Sequence, residues 1–326
     1  MAATMMWTQY IGTDDDWNQA ISQIDISTYL HGSQWSQHLS NLGWECHRWQ
    51  YQSGEQSAFI QGFLKRYPLG VGVLWFPDWV VGDYATSSGI VDTFRQSFSL
   101  RWLYVRVRSH HVSNEQDLLD LQQDFTEVKE PFDTAMTMHL NLTISVEALH
   151  QGLSKNWRRN LKRSNKLDYE IVEVKEVSTI TALYAELSTI KGVGGLFPKE
   201  EIASLMQTYQ DQIMVVGART RDGKIQAIRG AIIHQHQAID IFAATNVLAR
   251  KHYLSYALCW DLLMRCKQRD CQHFDFNGVD LDNMGVYNFK KGTGAELVKT
   301  LGEFEYASSA VIKHLVNFAS RWRHSY

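Results

Sequence analysis

The residues best suited to chemistry lie near the carboxyl end of the chain, at positions 274–296, which read FDFNGVDLDNMGVYNFKKGTGAE. Three carboxylates in this stretch, Asp275, Asp280 and Asp282, come before an aromatic-Lys-Lys-Gly element. Loops that follow strands often carry reactive groups, because the sheet holds them in place. A carboxylate can accept a proton from an amine, and a lysine can stabilise the oxyanion that forms when an amine attacks a carbonyl carbon. The stretch therefore contains residue types that acyl transfer to an amine requires.

Each of these residues also has an ordinary structural interpretation. Lys290 and Lys291 could be solvated charges at the start of a turn. Each aspartate could stabilise the turn at Asn277 and Gly278, since aspartate side chains often bond nearby backbone groups. Among the carboxylates, Asp280 is the candidate for the group that accepts the amine proton.

A concentration of positive charge lies at positions 153–166, LSKNWRRNLKRSNK. At about 100° per residue, six cations fall on one face of a helix. These are Lys155, Arg158, Arg159, Lys162, Arg163 and Lys166. The face predicts a surface for phosphates of transfer RNA, coenzyme A or a lipid- or nucleotide-linked sugar, and a merely solvated face is the alternative. Trp157 lies on the opposite, apolar face and is expected in the core.

Arg229 interrupts an otherwise apolar strand at positions 225–234. A charge inside a buried strand needs a partner, so Arg229 binds a substrate anion or forms a structural ion pair. We favour the ion pair and keep the substrate-binding role as a candidate. His234 and His236 share one strand face, but two ligands without a third do not make a metal site, and no metal is expected.

The segment 247–255, which follows the strand at 238–245, contains no glycine. A turn that cradles a pyrophosphate with backbone N–H groups normally needs glycine, because larger side chains hinder the close approach. Ordinary coenzyme A binding is therefore disfavoured at this turn, although Arg250 and Lys251 could still reach phosphates with their side chains. No tightly bound cofactor is expected.

The composition of the whole chain limits where such chemistry can take place. The 326 residues suggest two globular units, and 44% hydrophobic with 21% charged residues are typical of a folded protein. The net charge of −3 gives no overall field for nucleic acid or anionic membranes. Four irregularly spaced cysteines, no secretory signal and no long apolar run predict a cytoplasmic protein without a transmembrane segment.

The predicted elements of the second half follow one order. A strand at 169–175 precedes helices at 178–190 and 199–210, and three antiparallel strands follow at 213–219, 225–234 and 238–245. A helix, a strand at 273–276, a short helix and a last strand at 297–304 complete the order. This order is similar to that of the GNAT acyltransferase fold, an α/β fold in which the sheet opens between its fourth and fifth strands and the acyl donor lies in the gap.

Positions 274–296 resemble the carboxyl-terminal signature of the FemABX aminoacyltransferases, which add bridge amino acids to peptidoglycan precursors. Positions 153–166 resemble the basic linking helix of that family, and positions 34–44, with tryptophan at 35 and 44, resemble its amino-terminal motif. The resemblance implies an α/β fold of two tandem GNAT-like lobes with mixed, mostly antiparallel sheets. The first lobe would cover residues 1–148, with a helix at 306–326 returning to it, and the second would cover 149–305.

The resemblance also assigns roles to residues. It implies that the aromatic-Lys pair Phe289 and Lys290 stabilises the oxyanion, and we take the adjacent Tyr287 and Lys291 as substrate-binding candidates. One departure is Leu39, which by spacing stands where FemX-like members have a lysine that binds the phosphates of the muramyl-peptide acceptor. An uncharged leucine cannot bind phosphates in this way, so the resemblance does not extend to that acceptor contact.

These observations predict a transferase that moves an aminoacyl or acyl group to an amine of a phosphorylated cell-envelope precursor. Aminoacyl-tRNA is the favoured donor, because the turn that would hold coenzyme A lacks glycine. One alternative is an acyl-CoA-dependent N-acyltransferase that acts on a sugar or another small amine. A further alternative is a catalytically silent binding protein on the same fold.

Overall fold

The computed structural model of this chain describes residues 7–24, 28–53, 56–79, 81–82, 89–132, 134–191 and 196–324. The chain separates into two units, Met1–Ala135 with Lys299–Tyr326, and Met136–Val298. Each unit has its own sheet and its own apolar core.

The amino-terminal part of the first unit alternates short helices with long strands. Its helices within the described residues are α1 (Asp14–Ser22), α2 (Ser33–Asn41), α3 (Ile90–Ser97) and α4 (Glu115–Gln122). Its strands are β1 (Thr8–Gln9), β2 (Glu45–Ser53), β3 (Gln56–Tyr67), β4 (Val71–Phe76), β5 (Val81–Gly82), β6 (Trp102–Val112) and β7 (Thr126–Glu127).

The second unit follows the order that the sequence predicted. Its strands are β8 (Met136–Asn141), β9 (Tyr169–Glu173), β10 (Ile213–Thr220), β11 (Ile225–His234), β12 (Gln237–Thr245) and β13 (His273–Asp275). Its helices within the described residues are α5 (Val146–Gly152), α6 (Lys155–Ser164), α7 (Val177–Lys191), α8 (Lys199–Tyr209), α9 (Val247–Lys251), α10 (Leu254–Gln268) and α11 (Met284–Lys291). The chain ends with β14 (Glu296–Ala307) and α12 (Ala310–His324), which belong to the first unit from Lys299 onwards.

The two sheets share one arrangement. In the first unit β2, β3 and β4 form an antiparallel meander, β4 pairs in parallel with β6, and β14 pairs antiparallel with β6. In the second unit β10, β11 and β12 form the meander, β12 pairs in parallel with β13, and β8 pairs antiparallel with β13. The prediction of an α/β chain with mixed, mostly antiparallel sheets is confirmed.

The pairing of β8 and β14 explains why the boundary predicted before residue 149 differs from the observed boundary before residue 136. Strand β8 follows the first unit in the chain, but it pairs with β13, far along the sequence, and so belongs to the second unit. Strand β14 follows the second unit, and from Thr300 onwards it pairs with β6 of the first. Chain order alone does not reveal such pairing.

Several elements lie where the sequence predicted something else. Helix α4 was not among the predicted elements, and the short helix α9 was not predicted either. The helix expected between the strands at 238–245 and 273–276 is confirmed as α10. The basic segment is preceded by a break, because Ser154 caps α6 and accepts a hydrogen bond from the backbone N–H of Trp157. None of the described helices is long and apolar enough to cross a lipid bilayer.

Candidate functional site

Lys290 lies in the last turn of α11 and is buried, with only 7% of its surface exposed. Its Nζ donates hydrogen bonds to the carbonyl oxygens of Gly278, at 2.6 Å, and Asn277, at 3.1 Å. The neighbouring Lys291 is exposed, with its Nζ 5.5 Å from the ring centre of Tyr287. The surface interpretation is therefore wrong for Lys290 and fits Lys291, so the two adjacent lysines have different environments.

The loop that holds Lys290 begins where two parallel strands part. β12 and β13 pair only from Gln237 with His273 to Ile239 with Asp275, after which β12 continues and β13 ends. Asn277 then adopts a left-handed backbone conformation with φ of 59°, which asparagine tolerates better than most residues. Its side-chain Nδ2 reaches back to the carbonyl oxygen of Asp240 at 3.3 Å. The ammonium of Lys290 is thus held by the loop at the opening of the sheet.

Phe289 connects α11 to the basic helix α6. Its ring centre lies 5.8 Å from that of Trp157 and 5.0 Å from that of Tyr256, and its carbonyl oxygen accepts a hydrogen bond from Nε1 of Trp157 at 3.1 Å. The backbone N–H of Ser154 donates to the carbonyl oxygen of Gly292 at 2.8 Å. Trp157 is buried, as expected of a core residue, and it fixes α6 against the end of α11.

Arg229 is buried and forms an ion pair with Asp240, with 2.5 Å between Nη2 and Oδ2. Its guanidinium also lies 5.1 Å from the ring centre of Phe289 and 5.7 Å from that of Phe276. Burial raises the pKa of the Asp240 carboxyl, although Arg229 opposes that shift. The structure therefore agrees with the favoured ion pair and does not present Arg229 to solvent as a substrate ligand.

Of the three aspartates, Asp275 is the one that the structure ties to the loop holding Lys290. Its carboxylate accepts hydrogen bonds from the hydroxyl of Thr137 and, at 2.8 Å, from the backbone N–H of Asn277. Oδ2 of Asp275 lies 3.5 Å from Nε2 of His139 on the adjacent strand β8. No local sequence pattern pointed to His139, because its partner lies 136 residues further along the chain.

Asp280, the predicted proton acceptor, has a different position. It is exposed, and its Oδ1 accepts a hydrogen bond from the backbone N–H of Asp282 at 2.9 Å. Its own carbonyl oxygen accepts from the N–H of Asn283. The turn-stabilising interpretation fits these contacts, so the structure does not support the prediction that Asp280 is the base.

The positive face of α6 is exposed as predicted. Its cations are Lys155, Arg158, Arg159, Lys162 and Arg163, and Lys166 follows in the turn after the helix ends at Ser164. Within the described part of the chain, no acidic side chain forms an ion pair with any of these six, whereas Arg219 and Arg265 elsewhere in the unit do have such partners. Arg163 instead donates to the hydroxyl of Tyr253 at 3.3 Å.

The glycine-free segment 247–255 contains α9 and the start of α10. Asn246 caps α9 by accepting a hydrogen bond from the N–H of Ala249, and Tyr253 precedes α10 with φ of 59°. A tyrosine in this left-handed conformation occupies the entrance to α10, where a phosphate-binding turn would need bare backbone. The local geometry agrees with the prediction that ordinary coenzyme A binding is disfavoured here.

In the first unit, Leu39 lies on α2 and is buried, with 4% of its surface exposed. Its neighbour His38 is buried too, and burial lowers the pKa of that imidazole to about 4. Neither side chain offers a cation to a phosphate at neutral pH. The structure therefore places no cation where FemX-like members have a phosphate-binding lysine.

The comparisons with known proteins show what this chain is similar to. Residues 199–321 match the model of the FemAB family. The crystal structure of FemX is 12% identical with a TM-score of 0.80, over 95% of this chain and 99% of that chain. A tandem GNAT protein from the clavulanic acid biosynthesis pathway is 9% identical with a TM-score of 0.59, over 94% and 99% of the two chains.

A third similar structure is the C-terminal domain of a putative lysylphosphatidylglycerol synthetase from Agrobacterium fabrum. It is 13% identical with a TM-score of 0.51, over 95% of this chain and 97% of that chain. No curated protein matches the sequence. The structural matches confirm the predicted GNAT-like fold, and the family match includes positions 274–296, on which the FemABX resemblance mainly rests.

Proposed function

We propose that this chain is an acyltransferase of the FemAB type and that it transfers an aminoacyl group from aminoacyl-tRNA to an amine of a phosphorylated cell-envelope precursor. FemX and the putative lysylphosphatidylglycerol synthetase support the class of reaction, because the name of the latter describes a lipid that carries an amino acid. Such a donor would place the reaction in the cytoplasm.

The observation that carries the proposal is the buried ammonium of Lys290. Acyl transfer to an amine needs a neutral nucleophile, an activated ester and a stabilised oxyanion. A cation shielded from water and fixed before the reaction stabilises a developing negative charge much better than a solvated one does. Lys290 is such a cation, held by two carbonyl oxygens at the opening between β12 and β13.

The choice of donor rests on two further observations. The exposed cations of α6 have no acidic partners among the described residues, so they are available to the phosphates of a transfer RNA. Tyr253 stands where a coenzyme pyrophosphate would need bare backbone. Together these favour aminoacyl-tRNA over acyl-CoA.

The acceptor is proposed only by its chemistry. It supplies a primary amine and is linked to a nucleotide or lipid phosphate. Leu39 is buried and uncharged, so a muramyl peptide would not be held through a lysine at this position. A UDP-linked muramyl pentapeptide and lipid-linked precursors should therefore be compared directly.

The experiment compares two donors with the same purified protein. A pool of tRNA charged with labelled amino acids and labelled acetyl-CoA are each incubated with a UDP-linked muramyl pentapeptide and with an extract of lipid-linked precursors. We expect label to move to an amine only from tRNA. We also expect Lys290→Ala to lower the transfer rate by about 10²- to 10³-fold, the effect of removing one oxyanion donor.

Lys224→Ala provides the matched control, because Lys224 is an exposed lysine in the turn between β10 and β11. It should leave the rate within twofold of the wild type. Transfer from acetyl-CoA alone would replace the proposal with an acyl-CoA-dependent N-acyltransferase. If Lys290→Ala remains as active as Lys224→Ala, the role given to the buried ammonium is wrong.

A further inference from the structure

His139 lies in β8 directly opposite Asp275 in β13, where the two residues are Cα partners in the antiparallel ladder. Nε2 of the imidazole is 3.5 Å from Oδ2 of the carboxylate. The His139 side chain keeps 41% of its surface exposed, while that of Asp275 keeps 23%. The imidazole thus lies beside a more buried carboxylate, and part of its own surface is exposed to solvent.

Asp275 is held in place by other groups. One of its oxygens, Oδ1, accepts from the hydroxyl of Thr137 and the backbone N–H of Asn277, while the other faces His139. Burial raises the pKa of the Asp275 carboxyl, but its interactions with His139 and Thr137 bring that pKa below its ordinary value. Asp275 is therefore a carboxylate at neutral pH, and it favours the imidazole tautomer with the hydrogen on Nε2. The lone pair of Nδ1 is then left to accept a proton.

The same loop connects this pair to Lys290. The N–H of Asn277 donates to Asp275, and the carbonyl oxygen of Asn277 accepts from Nζ of Lys290 at 3.1 Å. The same backbone loop therefore positions two groups. One is an imidazole that can take a proton, and the other is an ammonium that can stabilise an oxyanion. Acyl transfer to an amine needs both groups, because a proton leaves the nitrogen as negative charge forms on the oxygen.

The other titratable groups near this loop are less suited to accept a proton. Asp240 is buried and paired with Arg229. Asp280 binds the backbone of its own turn and faces solvent. His139 combines a ring oriented by Asp275 with a side chain that is 41% exposed, and its Nδ1 has no hydrogen-bond partner among the described residues.

We propose that His139, positioned by Asp275, is the catalytic base that accepts the proton of the attacking amine in the transfer described under the proposed function, on which this inference rests. Asp275 is a positioning residue. As the amine nitrogen forms its bond to the ester carbonyl carbon, the carbonyl π pair moves to the oxygen and the extra N–H proton passes to Nδ1 of His139. When the oxyanion returns its pair to carbon, the ester C–O bond breaks and the imidazolium gives the proton to the leaving ribose oxygen, so no other reactant is consumed.

The test measures the single-turnover rate of transfer against pH for the wild type, His139→Gln and Asp275→Asn. The substrates are the charged tRNA pool and the acceptor with which the wild type is active in the donor experiment. His139→Gln should lower the maximal single-turnover rate by about 10²-fold, within the usual contribution of a general base, with little change in the enzyme concentration that gives half of that rate. His139→Ala should regain part of the loss when free imidazole is added.

The pH profile separates a catalytic role from a structural one. Burial lowers the pKa of His139, and the neighbouring Asp275 carboxylate, which is the charged group that acts on it, outweighs burial and raises the pKa above its ordinary value. The protonated ring cannot accept a proton, so the wild-type rate should fall as pH drops through that raised pKa. Asp275→Asn removes the carboxylate and should move this acidic limb to lower pH, while His139→Gln should remove the limb.

The control is His273→Gln, which changes an exposed histidine on β13 two residues before Asp275 and should leave rate and profile unchanged. Thermal unfolding of each variant shows whether it is folded. An unchanged acidic limb in His139→Gln, or a loss of rate that imidazole does not restore in His139→Ala, overturns the inference. A wild type that transfers from no donor overturns the proposed function and this inference with it, whereas an active wild type with an essential Lys290 and a dispensable His139 overturns the inference alone.

Discussion

Arg229 carries a buried positive charge beside one carboxylate and two aromatic rings. Arg229→Met would leave the carboxylate of Asp240 buried without its partner. Breaking a buried pair in this way typically costs 3–5 kcal/mol, because the remaining charge has lost both water and its counterion. We therefore expect the free energy of unfolding, measured by urea denaturation, to fall by about 3 kcal/mol or more.

The double variant Arg229→Met with Asp240→Leu is the matched comparison. It removes both charges, so most of the lost stability should return. If Arg229 were instead a substrate ligand, the single variant would keep its stability and raise KM. That result would contradict the ion pair as the main role of Arg229.

Three residues of the candidate site show which features could be predicted from the sequence and which could not. Lys290 was identified through its resemblance to a family element, but its burial was not predictable, because the carbonyls that bind it belong to residues 12 and 13 positions earlier. Arg229 was expected to have a partner, but that partner could not be named. A β-bulge shifts the register of β11 against β12 between Gly230 and Ala231, next to the Arg229–Asp240 pair. His139 could not be found at all, since only the pairing of β8 with β13 reveals Asp275 as its neighbour.

The packing of α6 against the end of α11 gives a prediction for these two elements. Gly292 follows α11, and a Cβ added to it would lie 2.9 Å from Cδ1 of Trp157 and 2.9 Å from the carbonyl oxygen of Asn288. Gly292→Ala should therefore push the two helices apart, with a loss of about 1–3 kcal/mol from overpacking. Because Lys290 lies on α11, we also expect a lower transfer rate.

Gly285→Ala is the control within the same helix. A Cβ there meets nothing closer than Oδ1 of Asn283 at 3.6 Å, and alanine favours helix over glycine by about 1 kcal/mol. Urea denaturation should thus show opposite signs for the two substitutions. Equal effects would mean that the contact between Gly292 and Trp157 does not hold α11 in place.

The positive face of α6 supports a second prediction about an element. The triple variant Lys155→Gln, Arg159→Gln and Lys162→Gln removes three exposed charges without touching the apolar face. Affinity for tRNA should fall, and the slope of log affinity against log salt concentration should become shallower by about 2, since each phosphate contact contributes about 0.7–0.9 to that slope. Filter binding at several salt concentrations measures both quantities.

A matched triple variant, Lys175→Gln, Lys199→Gln and Lys224→Gln, changes the net charge equally at exposed positions away from α6. It should leave the salt slope close to that of the wild type. Equal losses in the two triple variants would reduce the role of α6 to a general charge effect.

Elements were easier to predict than their ends. The meander of β10, β11 and β12 was recognisable because long apolar runs are separated by short turns such as Asp222-Gly223. Helix α1 does have a local sequence signal at its start, because Thr13 and Asp16 form a capping box. Helix α4 had little to distinguish it, because most of its residues are polar, although Asn114 does cap it.

At the scale of the whole chain, the two-lobed plan was predictable from element order and the boundary between the units was not. The order of strands, helices and turns repeats a fold in which a meander is followed by a helix and a parallel strand. The units to which β8 and β14 belong are decided by pairing between distant segments, and no local sequence pattern predicts that pairing. The observed units therefore begin and end one element away from the predicted residues.

Three histidines of the first unit and one of the second have pKa values that are shifted in opposite directions. In the first unit burial lowers the pKa values of His31, His38 and His47, and that of His38 falls to about 4. In the second unit Asp275 outweighs burial and raises the pKa of His139. The first unit should therefore lose stability first as the pH falls.

His38 allows the sign and size of this effect to be worked out. Its folded pKa of about 4 lies below the ordinary value of 6.5, so unfolding takes up a proton at intermediate pH. The stabilisation is fully present above pH 6.5 and is lost progressively as pH falls towards 4. Linkage gives a loss of about 2 kcal/mol between pH 7.5 and 5 from this residue alone.

Urea denaturation followed by tryptophan fluorescence can measure this loss. All of the eleven tryptophans except Trp157 and Trp260 belong to the first unit, so the signal reports mainly on that unit. His38→Asn should be less stable at pH 7.5 but should lose about 2 kcal/mol less than the wild type on acidification, whereas the exposed His273→Asn should follow the wild type. If His38→Asn and the wild type have the same pH dependence, the imidazole of His38 is not kept neutral by burial, and the acid sensitivity must come from carboxylates instead.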